Sequence, residues 1–261
     1  MQSDILLKIP PHGVLQHDDL AAAPQRIALT GVIAVIGCDG AGKSTLTGDL
    51  YASLCDDHVT KRLYLGQDSG NILQAVLSVP LIGPMLGRYL SRRSKRAHGR
   101  GDEPARPDAL TALVVHLLSR WRYSKFRRML ALQRQGAIVI VDRYPQAEAT
   151  GFYFDGPGLA LADNMSRFVR WLAVREQKLY REMATYVPAL LIRLNIDAET
   201  AYARKPDHRL KVLREKARVL PTLGFNAAPL LDLDATDPYA QVLRTATEAA
   251  KAALGRGETL H

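Results

Sequence analysis

The chain has 261 residues, 47% of them hydrophobic and 23% charged, ordinary globular values that allow one buried core and exclude a chain disordered throughout. Thirty-five basic residues against 26 acidic ones leave a net charge of +9. Such an excess suits polyanions, whether nucleotides, nucleic acid or a membrane surface, without choosing among them.

Residues 1–30 are of mixed character with breakers at Pro10, Pro11, Gly13 and Pro24, and read as an N-terminal extension. "GVIAVIG" (31–37) is a short apolar run ending in glycine, the pattern of a buried parallel strand. A helix is expected over 43–55, with Leu46, Leu50 and Leu54 on one face, and a second strand over 61–66. Residues 71–90 are apolar but interrupted by Pro80, Gly83, Pro84 and Gly87, so short broken helices are expected. Residues 88–107 are basic, then rich in glycine and proline, and read as a loop or insertion. A long helix follows over 107–136, then a third strand over 137–142. A helix over 159–186, a fourth strand over 189–195 and a helical stretch over 198–220 broken at Pro206 come next. A fifth strand over 229–235 and a helix over 238–254 close the chain. Strands alternating with helices predict an α/β fold, a doubly wound parallel five-stranded sheet flanked by helices, in one domain over 31–255.

Three segments carry chemistry. "GCDGAGKST" (37–45) matches the phosphate-loop spacing through Gly37, Gly42, Lys43 and Ser44. Glycines let backbone N–H groups face phosphate oxygens, and the following helix turns its positive end to the same anions. The expected nucleotide contacts run through Gly37, Cys38, Asp39, Gly40, Ala41, Gly42, Lys43, Ser44 and Thr45, with Lys43 on the β- and γ-phosphates and Ser44 on Mg²⁺. Asp142 ends the third strand, where ligands of open α/β sheets collect, and is the second expected Mg²⁺ group. Arg143 beside it has the planar fork that matches phosphate. "ARKPDHR" places Arg204 and Arg209 around a proline in a lid over about 203–214, suited to cancelling charge in a transition state; a solvated helix face accounts for the same spacing equally well.

In this order the segments resemble the thymidylate kinase family of P-loop nucleoside monophosphate kinases, over about residues 31–254. "GCDGAGKST" is similar to that family's phosphate loop, including its acidic residue at Asp39, and "VDRY" (141–144) to its Asp-Arg-Tyr motif. Arg122 lies at the spacing of the acceptor-phosphate arginine, and "LDLDAT" (231–236) resembles the segment bordering the adenine. The resemblance implies an ATP- and Mg²⁺-dependent kinase. Lys43, Ser44 and Asp142 would serve the donor, and Arg122, Arg143, Asp39 and Gln67 the acceptor. Gly40 stands where some members carry a basic residue, which shifts the expected arginine to Arg204 and Arg209. Where the family shows Arg-Glu-Pro-Gly this chain reads "LGQDSG", and Leu118 stands where an aromatic is expected.

Other functions stay open. A hydroxyl acceptor on a nucleoside, sugar or other metabolite would need a carboxylate base, for which Asp68 and Asp39 are the candidates. A nucleotide switch is a further reading. Nucleic-acid binding is disfavoured, because the six Lys and Arg residues in 88–100 are accompanied by one aromatic, Tyr89. The two cysteines, Cys38 and Cys55, fit no metal spacing, and no apolar run approaches the ~20 residues of a membrane span. The amino-terminal stretch lacks a signal-peptide pattern, so a cytoplasmic protein is expected, with a homodimer open.

Overall fold

The computed structural model describes residues 26–56, 58–66, 108–151, 154–161, 165–207 and 210–258. The expectations for residues 1–25, Gln67, Asp68, 71–107 and Arg209 fall outside them.

Five strands form one sheet: β1 (Ile27–Gly37), β2 (Thr60–Tyr64), β3 (Ile138–Asp142), β4 (Tyr186–Asn195) and β5 (Leu230–Asp234). Their spatial order is β2-β3-β1-β4-β5, and every pairing is parallel. The chain leaves β1 toward one edge, returns through β3 and crosses to β4 on the other side. The carboxyl end of β1 is therefore the topological switch point, where open α/β sheets bind ligands. Helices α1 (Lys43–Leu54), α2 (Ala109–Arg134), α3 (Arg167–Thr185), α4 (Ala198–Arg204), α5 (Leu210–Val219) and α6 (Tyr239–Glu258) complete the described elements.

The central strands are predominantly apolar because helices cover both faces, with buried Arg193 of β4 paired to Asp232. Val32, Ile33, Ala34 and Val35 of β1, Val139, Ile140 and Val141 of β3, and Leu191 and Ile192 of β4 are fully buried. Leu46, Leu50 and Leu54 of α1 press into the same core, as their spacing predicts.

Element boundaries follow local chemistry. Asp108 caps α2 by accepting from the Thr111 N–H at 2.7 Å, and Gly136 ends the turn with φ +81°. The break at Pro206 separates α4 from α5, as expected. Two strands are longer than their apolar runs suggest. β1 starts at Ile27 and β4 at Tyr186, and their early residues pair with each other, Leu29 opposite Pro188, up to a register shift before Ile33. Pro188 is tolerated there because the irregularity removes the need for its missing N–H. In contrast, α3 begins at Arg167 rather than 159, because the Gly158 and Leu159 N–H groups donate to the Glu176 carboxylate at 3.0 and 2.8 Å. Ser166 then caps the helix through the Val169 N–H. No described helix is long and apolar enough to cross a membrane.

Candidate functional site

The phosphate loop leaves β1 at Gly37 and enters α1 at Lys43, with Gly42 as the N-cap in left-handed backbone at φ +87°. Gly40, at φ +91°, is pressed against α4: a Cβ there would stand 2.7 Å from the Ala201 carbonyl oxygen. Glycine is thus required at Gly40 both by backbone conformation and by close approach. Cys38 is buried, its Sγ 3.9 Å from the Leu213 carbonyl oxygen, and burial raises its thiol above the ordinary value. Cys38 and Cys55 are both free.

Lys43 folds back over the loop, donating to the Cys38 carbonyl at 2.7 Å. It is 6% exposed, and burial together with the neighbouring Arg143 charge pulls its ammonium down to about 8. Ser44 donates to Asp142 Oδ2 at 2.8 Å. Asp142 reaches this position because its residue pairs with Val35 of β1 on one side and Tyr64 of β2 on the other. Its other oxygen, Oδ1, is buried without a hydrogen-bond partner among the described residues. A buried carboxylate oxygen left unpaired beside a serine hydroxyl is the donor set a hard divalent cation takes, so Ser44 and Asp142 fit Mg²⁺.

Three cations converge on Asp39. Arg143 and Lys216 both donate to it, and Lys43 lies at 3.8 Å. Burial acts to raise Asp39, but the Arg143, Lys216 and Lys43 charges outweigh it and hold its carboxyl well below the usual range. Arg143 occupies left-handed backbone at φ +67°, its N–H bonded to the Val35 carbonyl at 3.0 Å. Its guanidinium also lies 3.8 Å from Asp155. Burial works against that charge, yet Asp155 and Asp39 raise the group above its ordinary value.

Arg122, 1% exposed, projects from α2 and donates through Nη2 to Asp155 at 3.0 Å and to the Arg143 carbonyl at 3.5 Å. Its Nε and Nη1 have no hydrogen-bond partner among the described residues. Burial opposes the charge, and Asp155 together with Tyr180 more than compensates, raising the group above its ordinary value.

The structure therefore brings Asp39, Lys43, Ser44, Arg122, Asp142 and Arg143 into one cluster. Arg204 is directed elsewhere: it is exposed and donates to the Ala235 carbonyl at 3.0 Å, on the β5 side of the loop. Near it, Cys38, Asn195, Asp197, Asp234 and Thr236 line a cleft of about 490 Å³ at the ends of β4 and β5. Two site residues escape the sequence reading. Lys216 sits in an ordinary helical charge pattern, and only its burial at 4% exposure sets it apart. Asp155 lies in "FDGPG", which has the chemistry of a turn.

No family model matches the chain. Over 223 residues it is 50% identical to the uncharacterized ATP-binding protein YghS of Escherichia coli strain K12, covering 85% of this chain and 93% of that protein. It is 41% identical over 227 residues to the uncharacterized ATP-binding protein YghR of the same strain, covering 87% and 89%. The chain belongs to the YghS and YghR family. Both relatives are aligned over most of their length.

Proposed function

We propose that the chain binds Mg-ATP and transfers the γ-phosphoryl group to the phosphate of a small acceptor, as a nucleoside monophosphate kinase does. The observation that carries this reading is the buried, half-unpaired Asp142 hydrogen-bonded to Ser44 at the mouth of a phosphate loop. The names of the relatives support the ATP half of it.

Bound Mg²⁺ would be held by Ser44 and Asp142 and would offset charge on the β- and γ-phosphates. Lys43 exchanges its Cys38 carbonyl for phosphate oxygens, and the buried site strengthens that contact. Lys216, fixed on Asp39, adds a second cation above the loop. On the other side, Arg122 and Arg143 orient the acceptor phosphate, whose ionised oxygen attacks the γ-phosphorus as the bond to the β–γ bridging oxygen breaks. No base is needed for such a nucleophile. A hydroxyl acceptor would need one, and Asp39, held ionised by three cations, is a poor proton acceptor.

The test is a turnover screen with Mg-ATP against nucleoside monophosphates, nucleosides and sugars. At least one monophosphate should be converted, and Lys43→Ala should slow it by a factor on the order of 10². Turnover of nucleosides or sugars alone, or full activity in Lys43→Ala, would overturn the reading.

A further inference from the structure

Asp155 has no assigned part in the donor site, yet it is the anion on which both acceptor-side arginines rest. Its Oδ1 accepts from Arg122 Nη2 at 3.0 Å and its Oδ2 lies 3.8 Å from Arg143 Nη1. The contact is held by its surroundings. Asp155 adopts φ +60°, left-handed backbone that aspartate tolerates better than most residues. Three residues on, the Gly158 and Leu159 N–H groups are tied to Glu176, a fully buried carboxylate that also accepts from Ser119 Oγ at 2.5 Å. Ser119 is one turn before Arg122 on α2, and Glu176 one turn before Tyr180, whose ring lies 5.8 Å from the Arg122 guanidinium. The loop and the arginine are therefore registered by the same pair of helices.

Nη2 is committed to Asp155 and the Tyr180 side chain interacts with the same guanidinium, whereas the buried Nε and Nη1 edge makes no hydrogen bond of ordinary geometry among the described residues. Because that edge is buried, an anion reaches the arginine pair only by sharing it with the resident carboxylate or expelling it.

We infer that Asp155 is a specificity-determining placeholder: its carboxylate keeps Arg122 and Arg143 assembled, and the acceptor's dianionic phosphate monoester displaces it. This rests on the phosphoryl-transfer reading and adds a charge criterion to it. A carboxylate or another monoanion offers the arginines no more than Asp155 already does. A dianion offers more, so only it converts the occupied pair into the binding-competent one. The affinity measured for any anion is then its intrinsic affinity reduced by the fraction of molecules in which Asp155 has let go.

The experiment titrates phenyl phosphate and benzoate into the full chain with Mg-ADP bound, by calorimetry, for the unaltered protein, Asp155→Asn and Asp155→Gly. Asparagine and glycine both tolerate left-handed backbone, so the loop conformation is kept while the charge is removed. The unaltered protein should bind phenyl phosphate and discriminate against benzoate at least tenfold. Both variants should bind phenyl phosphate about tenfold tighter and benzoate measurably, as expected when a competing internal anion is removed. Unchanged or weaker phenyl phosphate binding in both variants overturns the inference and marks Asp155 as a structural tie. So does unchanged anion binding with lost turnover, because a proton acceptor would give that split. Failure to bind Mg-ADP at all strikes the phosphoryl-transfer reading instead, and is read separately before either probe is added.

Discussion

Replacing Asp39 with asparagine removes the carboxylate on which Arg143, Lys216 and Lys43 converge, while leaving its volume and a hydrogen-bonding amide. Asp39 is 8% exposed, Lys43 6% and Lys216 4%, so the two lysines cannot recover the lost interaction from water. Removing one member of a buried ion pair costs about 3–5 kcal/mol. With the amide retaining some hydrogen bonding, the lower figure applies, and about 3 kcal/mol lowers the melting temperature of a domain this size by about 10 °C. The effect has a pH signature. The folded Asp39 titrates below the ordinary carboxyl value of 3.8, so its stabilisation is fully present above that value and is lost as pH falls further. The difference in melting temperature between the two proteins should therefore narrow in acid. Mg-ATP should narrow it too, because its phosphates supply anions to the same cations and binding stabilises the native state. Thermal scans of both proteins from pH 3 to pH 8, with and without nucleotide, make the measurement. A shift under about 2 °C at neutral pH, less than the ~1 kcal/mol that shift represents, would refute the claim that the three cations depend on this carboxylate.

Because Lys43 titrates at about 8 in the ligand-free protein, nucleotide affinity should weaken as pH rises past that value, approaching about tenfold per pH unit; fluorescence titrations with an ATP analogue from pH 7 to pH 10 check this, and Lys43→Ala should flatten the profile. Lys216→Met should lower kcat more than Arg204→Met, since Lys216 reaches the loop through Asp39 whereas Arg204 is bonded to the Ala235 carbonyl; equal losses in steady-state kinetics would return the lid role to Arg204.

The donor half of the site is legible in the chain because it is local. Nine consecutive residues from Gly37 to Thr45 form the loop, and the burial of Leu46, Leu50 and Leu54 follows from their spacing alone. Asp142 is legible for a related reason: a carboxylate that closes an all-apolar strand stands at the edge of a parallel sheet where ligands gather. Lys216 and Asp155 are not, since each acquires its role from a partner far away in sequence, 177 residues for Lys216 with Asp39 and 33 for Asp155 with Arg122. Nothing near either residue distinguishes it from a solvated lysine or a turn aspartate. The early part of β1 is hidden similarly, because residues 27–29 become a strand only by pairing with residues 186–188 of β4, up to its proline.

The contact between Gly40 and Ala201 reaches beyond the loop itself. With the carbonyl of α4 standing where a side chain would go, the phosphate cradle has no slack on that face. Its floor is one wall of the helix pair α4 and α5, which meets it again through Cys38 at Leu213 and through Asp39 at Lys216. A nucleotide that reshapes the cradle by a fraction of an ångström therefore pushes on both helices at once. Conversely, any molecule that grips their outer surface bears on the loop from Gly37 to Lys43.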